Sequence, residues 1–343
     1  MAGDAPAIFV LFIQIVICPD SHLPEKGSTM LSFGPVPSRR LGRSIGINNI
    51  PPKVCTFACV YCQLGRTNQM RVERSAFYDP HELFDDVAGR VAGARAAGDQ
   101  VDYLTFVPDG EPTLDSNLAR EIEMVRTLDI PVGVITNSSL IWMPDVREAL
   151  ALADWVSVKA DAVWEDTWRE IDRPHGVLQL AACMDGIRDF AASFAGELVT
   201  ETMLVKGIND GPEHAHNLAA FLDEIAPAAA YLGVPTRPPA ESWVKPPDAA
   251  RINEIYQIVR EQVDSVEYLI GYEGNAFSST GNVEDDLLSI TSVHPMREDA
   301  VQALLAENGA DWQVVDDLIQ RRQLVQTEYD GRRYYVRELF AGS

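Results

Sequence analysis

A chain of 343 residues with 46% hydrophobic side chains is long enough for one large domain plus a smaller module, and apolar enough to bury a sizeable core. Its 28 lysines and arginines stand against 51 aspartates and glutamates, a formal charge of −23, which disfavours unassisted sliding along nucleic acid or adhesion to anionic membranes. Five cysteines, odd in number and three of them crowded together, exclude the paired framework of a small secreted disulfide protein and predict a reducing, cytoplasmic setting.

The first apolar stretch in the chain is a decoy. Residues 7–18 read AIFVLFIQIVIC, too short for a membrane span of about 20 residues. No lysine or arginine precedes them, only Asp4, so an export signal is not expected either, nor is a membrane partner. An organised chain opens at Met30 with MLSFGPVPSRR, and residues 1–29 are expected to be a disordered extension or a mis-assigned start.

From residue 44 short apolar runs alternate with longer amphipathic stretches, the pattern of repeated β-α units on a parallel sheet. Six strands are predicted, at residues 44–50, 101–107, 130–136, 154–160, 196–204 and 228–234. One helix is predicted over residues 80–98, opened by Pro80 and stopped by Gly98, and another over 177–195, where Gly186 weakens the helix. Six units are too few for a closed eightfold barrel, so the α/β fold expected is an open partial (β/α)6 barrel of TIM type or a doubly wound sheet. Either form gathers ligands beyond the C-terminal ends of the strands.

The loops at those ends carry the unusual residues. After the first strand, KVCTFACVYCQLG places Cys55, Cys59 and Cys62 at C-x3-C-x2-C spacing, so one tight loop can aim three sulfurs at one inorganic centre. A structural zinc wants four ligands, and the nearest later candidates, His81 and Cys183, are not at finger spacing. A [4Fe-4S] cluster held by three thiolates keeps one iron open, which is what catalysis requires. Two classes of function therefore stand side by side: an iron-sulfur enzyme, or a zinc-stabilised regulatory or nucleic-acid-binding protein.

The cysteine loop resembles the signature of the radical S-adenosylmethionine superfamily, C-x3-C-x-aromatic-C, with Tyr61 as the aromatic residue. FGPVPSRRLGRSIGINNIPP before it, CQLGRT after it, DGEPTL and GYEG look like a branch grouped with the radical enzymes of tRNA wybutosine synthesis, a resemblance covering roughly residues 32–343. It implies a [4Fe-4S] cluster on Cys55, Cys59 and Cys62 and S-adenosylmethionine chelated at the open iron. It further implies a one-electron donor of flavodoxin or ferredoxin type, and a 5′-deoxyadenosyl radical that removes hydrogen from a substrate, a tRNA or a small metabolite. Asp109, Gly110, Glu111 and Pro112 look like the family's glycine-glycine-glutamate segment for the methionyl ammonium, with Asp109 where the first glycine would stand.

Chemistry alone suggests roles for the other polar loop residues. Gly110 permits close backbone approach and Glu111 can accept from an ammonium, although Pro108-Asp109-Gly110 also suits an ordinary turn. Thr136 and Asn137 can bond a carboxylate or ribose, or cap the next helix. Lys159 and Asp161 flank the fourth strand's end as a cofactor- or substrate-facing pair or a salt-bridged rim. Arg237, Glu241, Trp243 and Lys245 lie in the proline-stiffened PTRPPAESWVKPP, expected to touch substrate or simply to connect. Arg39, Arg40 and Arg43 form a positive patch, either gripping an anion or solvating the loop, and His175, His214, His216 and His294 are expected at the surface or at caps. Cys18 and Cys183 read as isolated thiols.

The pattern changes near Asp285-Asp286. Two helices, at residues 296–309 and 311–322, precede a hairpin over 324–339 with Asp330-Gly331 at its turn, the outline of a winged-helix-like module. Arg321, Arg322, Arg332, Arg333 and Arg337 give residues 318–337 a local charge of +3, suited to RNA, DNA or protein contact. The expected division is 1–29 extension, 30–284 partial barrel and 285–343 module.

Overall fold

The structure is a computed structural model that describes residues 31–38, 40–269, 282–293, 295–329 and 331–337. The apolar run at 7–18, Cys18, Arg39, GYEG at 271–274, His294 and Asp330 lie outside the described residues. Among the described residues no helix is long and apolar enough to cross a membrane.

The chain opens with an antiparallel pair, β1 (Ser32–Ser38) and β2 (Gly42–Ile47). Two short parallel strands, β3 (Val54–Cys55) and β4 (Gln69–Met70), brace the cysteine loop. Helix α1 (Pro80–Ala97) starts where Asp79 accepts the His81 N–H and stops at Gly98 in the left-handed conformation, as its sequence signals predict. Then come β5 (Tyr103–Phe106), a 3-10 turn at Pro112–Leu114, α2 (Leu118–Arg126), β6 (Val132–Thr136), α3 (Pro144–Leu150) and β7 (Trp155–Lys159). They are followed by α4 (Glu165–Ile171), α5 (Leu180–Ser193), β8 (Glu197–Met203), α6 (Pro212–Ile225), β9 (Ala229–Gly233), α7 (Ala249–Arg260) and β10 (Val266–Leu269).

All six predicted strands form, and they make one sheet in the order β1-β2-β5-β6-β7-β8-β9-β10, parallel from β2 onward. The order never reverses, so the sheet lacks the switch point of a doubly wound fold. Right-handed crossovers then set the helices along one face. On that face Val132, Val134, Val156, Val158, Ala230 and Leu232 join the main core with the helices. On the other face a separate cluster runs from Tyr103 through Ile135, Trp155, Val199 and Tyr231 to Leu269, so strands β5 to β9 carry apolar side chains on both faces, as a buried parallel sheet does.

Two strands of this sheet were not expected. Strand β10 has only four residues and is mostly half-exposed, giving no apolar run. Strand β1, SFGPVPS, contains two prolines and a glycine that count against a strand, yet it sits at the sheet edge where a missing N–H is tolerated. Gly186, expected only to weaken α5, is needed for packing: a Cβ there would lie 2.5 Å from the Trp142 backbone nitrogen.

The C-terminal region has its own core. It contains α8 (Val283–Val293), β11 (Met296–Arg297), α9 (Glu298–Glu307), α10 (Gln313–Gln320), β12 (Leu324–Tyr329) and β13 (Arg332–Arg337), with the strands in order β11-β13-β12. Leu287, Leu288 and Ile290 of α8 belong to this core, so the boundary expected between residues 284 and 285 falls inside a helix. Val36 of β1 packs against the same core and joins it to the sheet.

Candidate active site

A cavity of about 320 Å³ opens at the C-terminal ends of the parallel strands. Cys55, Cys59 and Cys62 all line it, together with Asp109 and Glu111 after β5, Thr136 and Asn137 at β6, Lys159 at β7, Glu201 on β8 and Arg237 beyond β9. The cysteine loop is held by its own turns, Cys62 N–H to Cys59 O at 3.1 Å and Gly65 N–H to Cys62 O at 3.1 Å. The Val60 N–H fixes it to Ile171 O at 2.9 Å.

Among the described residues no three histidine, cysteine or acidic side chains converge on a point where one ion would sit. The three thiols line one cavity, and three thiolates without a fourth protein ligand match an iron-sulfur cluster that keeps one iron open. Burial pushes the Cys55 thiol up to about 12, with the Glu111 carboxylate adding to it, and pushes Cys59 well up beside Asp172. Such thiols ionise readily only against a strong positive centre, as a bound metal supplies.

Glu111 is held by four donors. Oε1 accepts from Thr113 N at 3.0 Å, Thr113 Oγ1 at 2.6 Å and Thr136 Oγ1 at 2.7 Å, and Oε2 accepts from Asn137 N at 2.7 Å. Burial still raises its pKa, because all four donors are neutral. Glu111 therefore ties the β5 loop to the end of β6. Gly110 is likewise required by the protein, since a Cβ there would sit 1.9 Å from the Val54 carbonyl oxygen. Asn137 donates to Thr56 Oγ1 at 2.7 Å and Cys55 Sγ at 3.5 Å while its Oδ1 accepts the Ser139 N–H, so it both closes its turn and orients the first cysteine. Pro112 does not line the cavity; its carbonyl accepts from Asn49 Nδ2.

Across the cavity the charges are paired. Lys159 Nζ donates to Glu201 Oε1 at 2.7 Å and Arg40 pairs with Glu201 Oε2. Burial opposes the Glu201 charge, yet Lys159 and Arg40 hold its carboxyl down at about 2. Lys159 also lies 5.1 Å from the centre of the Tyr61 ring. The Tyr61 hydroxyl donates to Asp161 and, at 3.3 Å, to Asp172, and Asp161 Oδ1 accepts the Met203 N–H at 2.6 Å. Burial raises both aspartates.

Lys53 and Asp109 complete the lining. Both are buried, Lys53 Nζ and Asp109 Oδ1 have no hydrogen-bond partner, and burial pushes Asp109 up to about 7 and Lys53 down. Lys53 has φ of 64°, a left-handed conformation that costs a non-glycine residue about 1 kcal/mol.

The proline-rich loop divides. Arg237 lines the cavity and donates to Gln63 at 2.9 Å. Trp243, 48% exposed, and Lys245, also exposed, do not line it, so the structure does not bring them to the site. Glu241 is a clamp: Arg66 grips it through two 3.1 Å bonds and Arg173 through one of 2.6 Å, holding its carboxyl below the usual range and fastening this loop to the cysteine loop. Of the arginine patch, Arg40 reaches the cavity while Arg43 pairs with Asp99 at 2.9 Å. His214, expected at the surface or a cap, is buried in the first turn of α6 with its ring edge-on to Trp164.

The C-terminal hairpin also reaches the site. Tyr329 donates to Pro235 O at 3.2 Å and Tyr334 to Thr236 O at 3.0 Å, both acceptors on the cavity's edge, and Arg337 lies near enough to Asp109 to favour its charge. Lys53, Glu201 and these tyrosines were not picked out from the sequence. Glu201 had a readable signal, an acid inside an apolar strand; Lys53 stood two places before Cys55 with nothing local to mark it.

The model of the radical SAM superfamily matches residues 49–219. A UPF0026 protein of Methanocaldococcus jannaschii is 45% identical over 311 residues, which cover 90% of this chain and 96% of that protein. A UPF0026 protein of Synechocystis sp. is 36% identical over 208 residues, 60% of this chain and 76% of its own length. The solved structure of TYW1 with a lysine-pyruvate adduct covers 64% of this chain and 74% of its own at a TM-score of 0.50 and 15% identity, a likeness of fold. This chain belongs to the radical SAM superfamily, whose enzymes use a [4Fe-4S] cluster and S-adenosylmethionine, and within it to the UPF0026 family.

Proposed function

We propose that the cavity is the place where S-adenosylmethionine and a substrate meet, with Cys55, Cys59 and Cys62 holding the cluster. The carrying observation is that these three thiols line one cavity of about 320 Å³ together with buried polar groups that lack protein partners. When bound, the cluster supplies the electron that cleaves S-adenosylmethionine to methionine and a 5′-deoxyadenosyl radical able to take hydrogen from substrate. The chain's residues do the positioning. Asn137 orients Cys55, Glu111 fixes the turn that carries Asp109 and Gly110, and Tyr61, Thr136 and Asn137 border the cofactor's space. Lys159, Glu201 and Arg40 form a rigid floor, and Arg237 closes the far edge.

The chain works in this reading as one partial barrel with a winged-helix-like module, in a reducing cytoplasm, fed by a flavodoxin- or ferredoxin-type donor. A relative, the probable dual-specificity RNA methyltransferase RlmN of Picosynechococcus sp., is 28% identical over 65% of this chain. A small metabolite nevertheless suits the cavity of about 320 Å³ better than RNA, and three of the C-terminal arginines already have partners, two of them in exposed ion pairs. Arg321 pairs with Glu284 at 2.8 Å, Arg333 with Glu298 at 3.3 Å, and Arg337 donates to Leu288 O at 3.4 Å.

The test is anaerobic reconstitution with iron and sulfide followed by dithionite and measurement of 5′-deoxyadenosine. The parent is expected to take up about four irons and sulfides and to form 5′-deoxyadenosine. Alanine at Cys55, Cys59 or Cys62 is expected to abolish both, and alanine at Cys183, buried against Ser139 O, to spare both. A loaded parent that forms none, or a single-cysteine variant with parental activity, overturns the reading.

A further inference from the structure

Lys53 is 7% exposed, lines the cavity, and has no acceptor for its ammonium. It sits beside the cysteine loop: a Cβ built on Gly65 would lie 3.8 Å from Nζ. The other cations lining the cavity are engaged, Lys159 and Arg40 with Glu201 and Arg237 with Gln63. Asp109 does not complete Lys53. The Lys53 N–H donates to the Asp109 carbonyl at 2.8 Å, but no hydrogen bond joins the ammonium to the carboxylate, whose Oδ1 also stands without a partner. Asp109 is moreover shared, since Arg337 of β13 acts on it from the module side. Lys53 therefore brings to the cavity wall an ammonium that no protein atom among the described residues accepts. A buried ammonium without an acceptor is costly, and an incoming anion relieves that cost.

We propose that Lys53 is the anion receptor of this site, pairing with a carboxylate or phosphate group of a small molecule bound in the cavity. The inference rests on the cavity being the meeting place of cofactor and substrate. The anion has two sources, the methionyl carboxylate of S-adenosylmethionine or an acidic group of the substrate, and an ammonium recognises either by the same charge-assisted hydrogen bonds.

The experiment measures binding, by calorimetry on the full chain loaded with iron and sulfide, for the parent and for Lys53→Gln, Lys53→Met and Lys53→Arg. Probes are S-adenosylmethionine, decarboxylated S-adenosylmethionine, and inorganic phosphate titrated into protein already saturated with S-adenosylmethionine. If the cofactor's carboxylate is the partner, Lys53→Gln weakens S-adenosylmethionine roughly tenfold or more and leaves the decarboxylated form unchanged. If the substrate's group is the partner, both forms of the cofactor bind as in the parent and phosphate binding is lost. Lys53→Arg restores most of either loss. Circular dichroism of the two neutral variants shows that the fold is kept. Parental affinity of Lys53→Gln and Lys53→Met for every probe overturns the proposal. Iron and sulfide uptake and 5′-deoxyadenosine formation by the parent report separately on the radical reading, so a failure there is distinguishable from a failure of Lys53.

Discussion

On one side of the cavity Lys159, Glu201 and Arg40 form a closed chain of ion pairs, whereas on the other Lys53 and Asp109 each keep a buried polar atom without a hydrogen bond. Both sides are buried and both carry charge, so burial alone does not separate them. What separates them is satisfaction. A polar group whose partners are supplied by the fold holds the fold together, while one left without partners costs stability until a ligand arrives. Glu111 belongs with the first kind despite its place in a segment that resembles an ammonium-binding motif, because four protein donors already surround it.

The largest effect is expected where satisfaction is most complete. Glu111→Ala strands the donors of Thr113, Thr136 and Asn137 in a buried corner and should cost about 4 kcal/mol in chemical denaturation, more than it costs cofactor affinity. If stability hardly moves and S-adenosylmethionine binding collapses, Glu111 is a ligand contact and the division between the two sides fails.

Glu201→Gln comes next, at about 3 kcal/mol, since it removes the buried carboxylate that Lys159 and Arg40 share. The sign of its pH dependence follows from a carboxyl held at about 2, below its ordinary 4.5. The stabilisation is complete above 4.5 and disappears as pH falls through about 2, so parent and variant denaturation curves should converge in acid.

Asp109→Asn should behave in the opposite way. Burial raises Asp109 to about 7, so the folded chain holds this proton longer than the unfolded chain does, and stability falls as pH rises from 3.8 toward 7. Removing the carboxylate is expected to stabilise the ligand-free protein by about 2 kcal/mol at pH 8 and to change it little at pH 4. Equal effects at both values would show that Asp109 has partners after all.

These contrasts also mark how far the sequence carries. The three cysteines, the six central strands and α1 with its Pro80 start and Gly98 stop are legible because their signals are local spacings and caps. Strand β1 is not, since its prolines are tolerated only by an edge position that sequence does not reveal. The site splits along the same line. Glu241 and Arg237 stand four residues apart in one loop, yet one is bound by Arg66 and Arg173 and the other faces the cavity, because their partners come from 60 or more positions away. Trp243 looks like a substrate platform in the sequence and stands in solvent in the fold. Whether a polar residue is satisfied depends on long-range partners, and composition of its own loop does not encode them.

The smallest effect tests the join between barrel and module. Tyr329→Phe and Tyr334→Phe keep their rings in place and delete only the hydroxyls that reach Pro235 O and Thr236 O, so each should cost about 1 kcal/mol. Both bonds fasten adjacent residues of one cavity edge, so the second deletion should act on an edge already loosened, and the double variant should depart from additivity. Hydrogen exchange of the segment around residues 234–237 is the sensitive readout, because it reports local opening that global denaturation averages away. Faster exchange there, with the sheet unchanged, means that the hairpin holds a wall of the cavity and that the module is part of the site. Unchanged exchange in the double variant means that the barrel sets this edge by itself, and Arg337 then stands near Asp109 without help from the tyrosines.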